Sequence, residues 1–93
     1  DNAGSSDEHR AINYLAVRYP EIYYNTAAYF ARNFSLDAVD VIPSRLSGTR
    51  RVFNVVFSYA NRSTDYKEKQ FVRVDVTEDF PFLVSKMSPY FDR

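Results

Sequence analysis

The chain has 93 residues, with 12 basic and 12 acidic side chains, eight Phe, eight Tyr and no Cys. So many large aromatic side chains exclude a disordered or low-complexity chain, because such chains lack the apolar surface that offsets the entropy lost on folding. The absence of Cys excludes disulfides, thiolate metal sites and cysteine catalysis, and no apolar run approaches the roughly 18 residues that a membrane-spanning helix needs.

This length indicates one domain over residues 1–93. The polar, acidic start, residues 1–6, is interpreted as a disordered leader or as the end of a linker. Small secreted domains commonly depend on disulfides, so a chain without Cys and without a signal peptide is expected in the cytoplasm. No membrane is expected among its partners.

Residues 7–18 are predicted to form the first helix. Ser5 and Glu8 have the spacing of a capping box, in which each side chain accepts a hydrogen bond from the backbone N–H of the other residue. Pro20 disfavours helical dihedrals in the residue before it but suits the first turn of a new helix, so a second helix is predicted over residues 21–33. A single helix kinked at Pro20 is the alternative. The inward side chains of this region are expected to be Ala11, Ile12, Leu15, either Tyr14 or Tyr19, Ile22, Thr26, Tyr29, Phe30 and Phe34.

The hydrophobic period then changes from about 3.6 to about 2 residues, which indicates strands. Three strands are predicted over residues 36–42, 51–59 and 66–77, and a short fourth strand over residues 82–87 is the further option. Short loops join antiparallel neighbours. The sequence therefore predicts an α+β fold, with one or two N-terminal helices packed on a three- to four-stranded antiparallel sheet.

Alternation assigns the side chains of the second and third predicted strands to two faces of the sheet. The inward side chains are Phe53, Val55, Phe57, Tyr59, Val72, Val74 and Val76. The outward side chains are Asn54, Val56, Ser58, Lys69, Arg73 and Asp75.

No residue pattern indicates catalysis, a cofactor or a metal ion. His9 is the only His, and a catalytic or metal-bound imidazole needs partner groups that its polar helical turn does not supply. Asp37 and Asp40 alternate across a strand, which prevents joint action, and Glu78 and Asp79 are typical turn residues. No phosphate-binding loop or nucleophile elbow occurs. We therefore expect a chain without enzymatic activity, cofactor or metal.

The charges are unevenly spread along the chain. Residues 1–43 hold six acids and three bases, residues 44–73 hold seven bases and two acids, and residues 74–93 hold four acids and two bases. The basic middle segment supplies candidate binding residues, which are Arg45, Arg50, Arg51, Lys69 and Arg73. With Lys67, and with Asn54, Tyr66 and Phe71 for stacking and hydrogen bonds, they would suit single-stranded nucleic acid. A solvated or protein-contacting face is favoured instead, because the whole chain is neutral and its acidic flanks can pair with these bases.

Five tyrosines crowd the predicted helices, namely Tyr14, Tyr19, Tyr23, Tyr24 and Tyr29. Two helical faces must be aromatic to hold them, and only one of these faces is core. Tyr is favoured at interfaces, where one end of the side chain is apolar and the other is wet. Tyr19, Tyr23 and Tyr24 are therefore interface candidates, either for a protein or peptide partner or for a second copy in a homodimer.

A ligand pocket is the alternative reading of the aromatic residues. A helical layer on a curved antiparallel sheet encloses an aromatic-lined cavity in cystatin-like and NTF2-like folds, and such a cavity would hold a small ligand. The residues expected to line it here are Tyr14, Phe53, Phe57 and Tyr66.

Four segments and a proline follow one another in an order known from a protein family. They are Arg-Ala-Ile-Asn-Tyr-Leu-Ala at residues 10–16, Leu-Asp-Ala-Val-Asp-Val at 36–41, Val-Phe-Asn-Val-Val-Phe at 52–57 and Phe-Val-Arg-Val-Asp-Val-Thr at 71–77, followed by Pro81. In this order they resemble the C-terminal domain found in cyanobactin-maturation, subtilisin-like proteases.

The resemblance implies an α+β accessory domain beside a peptide-processing enzyme whose catalytic residues lie in another domain. The family carries cysteines in the loop after its first strand, but the corresponding loop here, residues 43–49, has none, so no metal ligand is carried over. Together with the missing chemistry and the surplus tyrosines, this predicts a non-catalytic binding or scaffolding domain for a peptide-maturation system.

Overall fold

The computed structural model describes the backbone of residues 3–44 and 48–90 and the side chains of residues 7–44 and 48–90. Its elements, in chain order, are α1 (Ala3–Arg18), α2 (Glu21–Ala31), β1 (Phe34–Pro43), β2 (Val52–Asn61), β3 (Lys67–Asp75) and β4 (Phe82–Pro89). The strands form one antiparallel sheet in the order β1-β2-β3-β4, and both helices pack on one of its faces. The α+β prediction is therefore confirmed, with two helices and with the fourth strand.

The helical region starts earlier than predicted, but the boundary between its two helices lies at Pro20, as predicted. α1 begins at Ala3, so Ser5 lies inside the helix rather than at its N-cap. A capping-box spacing is a local pattern, and it does not prevent the helix from extending further towards the N-terminus. The C=O of Pro20 accepts hydrogen bonds from the N–H groups of Tyr23 and Tyr24 at 2.9 and 3.2 Å, which places Pro20 at the start of a separate second helix. No helix in the described part of the chain is long and apolar enough to cross a bilayer.

Asn33 ends the helical layer and starts the sheet. Its φ angle of 71° lies in the left-handed region, which Asn tolerates better than most residues because its short polar side chain can bond locally. The C=O of Asn33 accepts the N–H of Arg62 at 2.8 Å, and its Nδ2 donates to the hydroxyl of Ser63 at 2.8 Å. The junction between α2 and β1 is thereby fixed to the turn between β2 and β3.

The core lies between the helices and the inward face of the sheet. Tyr59 at its centre is fully buried. Its ring stacks on the ring of Tyr29 with 4.0 Å between centroids, and its hydroxyl shares a 3.0 Å hydrogen bond with Thr26. The inward alternation predicted for β2 and β3 is confirmed, since the buried apolar cluster comprises Ala11, Leu15, Tyr19, Tyr29, Phe34, Phe53, Val55, Phe57, Tyr59, Val72, Val74 and Val76.

Two side chains that were predicted to point inward, Ile12 and Phe30, are exposed. The guanidinium of Arg62 lies over the ring of Phe30 at 4.1 Å from the centroid. Each residue turns a helix by about 100°, so when Tyr29 points at the sheet its neighbour must point to the side. Asp75 takes its predicted outward alternation, but it is only 2% exposed because Arg50 pairs with it at the end of the strand.

Candidate interaction surface

An apolar groove opens between the two helices and the β1 side of the sheet, with a volume of about 240 Å³. Leu15 and Phe57 form part of its buried floor, whereas Ile12 and Val39 at its rim are 39% and 40% exposed. Single exposed apolar side chains are common, but a contiguous apolar patch is typical of an interface or a binding site. We name this feature the helix–β1 groove, and its lining residues are Ile12, Leu15, Ala16, Ile22, Leu36, Val39, Val55 and Phe57.

The groove exists because β1 is an edge strand. α1 packs over β2, and α2 contacts β1, where the ring of Tyr29 meets that of Phe34 edge-on with 5.4 Å between centroids. Further along β1 the side chains of Leu36 and Val39 remain partly exposed. The helices thus cover the middle of β1 only in part.

The basic residues singled out in the sequence fall into two groups. Arg50 pairs with Asp75 and, at 3.1 Å, with Glu78. Arg51 pairs with Asp7 of α1 at 2.7 Å. These two arginines therefore link the start of β2 to α1 and to the turn after β3. The bases of the middle segment are here neutralised by acids of the flanking segments, as the charge distribution along the chain allows.

The remaining basic candidates lie elsewhere. Arg73 is on the face of the sheet that carries no helix, where its Nε donates to Oδ1 of Asn54 at 3.0 Å and its guanidinium lies 5.4 Å from the centroid of Phe71. Lys69 is on the same face by the register of β3. Arg45 lies outside the described residues.

The three tyrosines predicted for an interface are also divided. Tyr19 is buried in the core, and its hydroxyl accepts the N–H of Met87 at 3.0 Å. It is therefore not exposed as the sequence suggested, and only a small part of it lines the depression that Tyr24 also borders. Tyr23 and Tyr24 are exposed. The hydroxyl of Tyr23 donates to the C=O of Ala16 at 2.8 Å, which places Tyr23 beside the groove, whereas Tyr24 lines a depression next to Met87.

The family model for the PatG C-terminal domain matches residues 1–90 of this chain. The chain belongs to the PatG C-terminal domain family. This confirms the resemblance carried by the four sequence segments, and it makes the chain an accessory C-terminal domain of a cyanobactin-maturation protein. No curated protein and no solved structure matches the chain.

Five of the ten described acidic side chains of the PatG C-terminal domain form ion pairs with Lys or Arg. Asp37 lies 3.4 Å from the Nζ of Lys67, and His9 is exposed on α1. No group of three or more His, Asp or Glu side chains that could hold a metal ion occurs within the described residues.

The four residues predicted to line a ligand pocket lie in different parts of the PatG C-terminal domain. Tyr14 borders a cleft of about 590 Å³ next to Phe80. Phe57 lies at the floor of the helix–β1 groove, Phe53 is buried in the core, and Tyr66 is exposed at the start of β3. The aromatic residues thus fill the core and border several depressions rather than lining one cavity together.

Two carboxylates of the domain have lowered pKa values. The pKa of Glu68 lies below its ordinary value of 4.5, mainly because the hydroxyl of Tyr29 donates to its Oε1 at 2.8 Å. Burial raises the pKa of Asp75, but hydrogen bonds from the guanidinium of Arg50 and the N–H of Thr77 outweigh it, so that pKa lies below 3.8. Both carboxylates are therefore better stabilised as anions in the folded protein than in the unfolded chain.

We expect acid to weaken the fold through these two groups. A carboxylate with a lowered folded pKa stabilises the protein above its unfolded pKa, and this contribution is lost as the pH falls through the folded pKa. The contribution should be complete well above the ordinary pKa values of 4.5 for Glu68 and 3.8 for Asp75, and it should be lost as the pH falls below them. Urea unfolding over this range tests the expectation, because Asp75→Asn and Glu68→Gln should each lose less stability on acidification than the wild type.

The control for this measurement is Asp65→Asn, which changes an exposed carboxylate in the turn before β3. Its stability should follow that of the wild type at every pH. Parallel pH curves for all four proteins would contradict the assignment of the acid sensitivity to Asp75 and Glu68.

Proposed function

We propose that this PatG C-terminal domain is a non-catalytic protein-interaction module, which holds a protein or peptide partner of the peptide-maturation system in the helix–β1 groove. The observation that carries the proposal is the groove itself, an apolar concave surface at an open sheet edge. Burying such a surface against a partner is favourable at roughly 25 cal/mol per Å² of apolar area.

The chemistry of the groove supports binding rather than catalysis. Every residue that lines it is apolar, so it offers no general acid, general base or nucleophile to a substrate. The ionic side chains at the start of β2 are used inside the fold, in the pairs of Arg50 with Asp75 and of Arg51 with Asp7. A domain of this kind contributes by bringing a partner close to a reaction that another domain carries out.

The proposal is tested with Ala16→Glu in the full-length protein that carries this domain. Ala16 is exposed and lines the groove, so a carboxylate there should leave the fold intact but would have to be buried without a partner on binding. When the protein and its partner are at low concentration, we expect the rate of peptide processing to fall by about tenfold. This is the effect of losing roughly 1.4 kcal/mol of binding free energy. Raising the concentrations of the protein and its partner should restore the rate, because the substitution impairs binding and not the catalytic step.

The matched control is Ala27→Glu, which places the same charge at an exposed alanine of α2 that does not line the groove. Both variants should unfold at the same urea concentration as the wild type, and the control should keep the wild-type rate. An unchanged rate with Ala16→Glu would contradict the proposal, and so would a loss that high concentrations do not restore.

A further inference from the structure

The outer edge of β1 presents backbone groups that no strand of the described chain occupies. The N–H of Ser44 donates to the C=O of Val52 at 2.8 Å, so Ser44 is turned towards β2. Backbone groups of successive residues point to alternate sides of a strand, and the register is unbroken from residue 38 to residue 43. Val39 and Val41 therefore direct their N–H and C=O groups outward, where they can pair with another strand.

This free edge is short and has defined ends. The register shift between Leu36 and Ala38 makes Asp37 an extra, bulged residue, and a bulge disrupts pairing along an edge. At the other end of the strand, the backbone of Pro43 faces outward, away from β2, but Pro43 has no N–H to donate to an added strand. The edge that can accept a strand is therefore residues 38–42.

The two faces of this edge differ in chemistry. On the helix side, Val39 lines the helix–β1 groove and Val41 packs against the core. On the other face, Asp40 is exposed and forms no ion pair with the described residues. A strand added here would meet apolar side chains on the helix side and, on the other face, the carboxylate of Asp40 between Ala38 and Ile42.

A second copy of the chain fits this edge poorly. In an antiparallel pair of β1 strands from two copies, the outward N–H and C=O groups of Val39 and Val41 can all form hydrogen bonds in one register only. In that register Val39 of one copy lies opposite Val41 of the other. That register puts the two Asp40 side chains directly opposite each other, and like charges in this position destabilise a strand pair. A basic residue at the same position would instead stabilise the pair.

We propose that residues 38–42 of β1 bind an extended segment of a partner polypeptide that has a Lys or Arg between two apolar residues. The segment adds as an antiparallel strand, with its basic side chain opposite Asp40 and its two apolar side chains opposite Val39 and Val41, at the helix–β1 groove. The backbone hydrogen bonds supply affinity and the alternating side chains supply selectivity, as in other cases of strand addition. This inference rests on the proposed function and specifies the chemistry of the partner.

The test uses the full-length protein and two labelled synthetic peptides, one centred on Thr-Val-Lys-Val-Thr and one with Glu in place of the Lys. Fluorescence anisotropy should show that the Lys peptide binds about three- to tenfold more tightly, which corresponds to exchanging a favourable cross-strand pair for an unfavourable one. Asp40→Lys should reverse the preference. Hydrogen–deuterium exchange should slow in residues 38–42 when the Lys peptide binds to the wild type.

Asp65→Lys is the control, because it makes the same change of charge at an exposed turn residue away from the edge, and it should keep the wild-type preference. Equal affinities for the two peptides would overturn the inference. So would binding of neither peptide, a Lys preference that persists in Asp40→Lys, or slowed exchange in β4 rather than in β1.

The two proposals fail in different ways. If Ala16→Glu slows peptide processing while neither peptide binds, the groove holds its partner by another geometry, and only the strand pairing at Asp40 is overturned. If the Lys peptide binds as expected while Ala16→Glu leaves processing unchanged, the edge binds such segments, but the role of the groove in maturation is overturned.

Discussion

Tyr59→Ala is expected to lower the free energy of unfolding by about 3–5 kcal/mol, the range observed when a large buried aromatic side chain is truncated. Tyr59 is fully buried, stacks on Tyr29 with 4.0 Å between ring centroids and bonds to Thr26. The substitution removes the contact between α2 and the centre of the sheet and leaves a cavity there. Urea unfolding followed by circular dichroism measures the loss, which is a large part of the total stability of a small domain.

Tyr59→Phe separates the packing of the ring from its hydrogen bonds. It keeps the stacked ring and removes only the hydroxyl, so it should cost about 1 kcal/mol. A loss below about 1.5 kcal/mol for Tyr59→Ala would show that the site collapses around the smaller side chain, and would contradict a central role of Tyr59 in the core.

Arg10→Ala is expected to cost about 2 kcal/mol, because hydrogen bonds to charged groups contribute more than neutral ones. The guanidinium of Arg10 donates to the backbone C=O of Val76 at 2.7 Å, to that of Glu78, and to that of Asp79 at 3.1 Å. These bonds join α1 to the turn between β3 and β4. Besides the loss of stability in urea, amide exchange in residues 76–81 should become faster.

Two further variants check the reading of Arg10. Arg10→Lys keeps the charge but not the planar fork of donors that reaches several carbonyls at once, so most of the loss should remain. Arg18→Ala removes an exposed arginine from the same helix and should change stability by less than about 0.5 kcal/mol. If Arg10→Ala lowered the free energy of unfolding as little as Arg18→Ala, the conclusion that Arg10 stabilises the turn between β3 and β4 would be wrong.

The parts of the fold that local patterns determine were predictable. The alternation of Phe53, Val55, Phe57 and Tyr59 placed the core face of β2, since successive side chains of a strand point to opposite faces. Pro20 marked the boundary between the helices because its ring restricts the residue before it. The early start of α1 and the exposure of Phe30 were not predictable in this way, because they depend on helix length and on the angle at which each helix meets the sheet.

The candidate interaction surface was only partly predictable. Ile12, Leu36 and Val39 were recognisable as apolar, and apolar side chains in helices and strands are usually predicted to be buried in the core. Their exposure follows from the position of β1 at the edge of the sheet, which hydrophobic period does not encode. Tyr19 shows the converse, since its amphipathic side chain suggested an interface but its hydroxyl found a backbone partner at Met87 inside the fold.

By itself the sequence determined the α+β class, the inward face of the two central strands and the membership of the PatG C-terminal domain family, because periodicity and short motifs are properties of neighbouring residues. Only the tertiary structure decided which strands lie at the edges of the sheet and that Arg50 and Arg51 are neutralised by acids distant in sequence. It also decided that Asp40 lies beside backbone groups with which no described strand pairs. These features arise from contacts between residues far apart in the chain, and such contacts are fixed when helices and strands pack together.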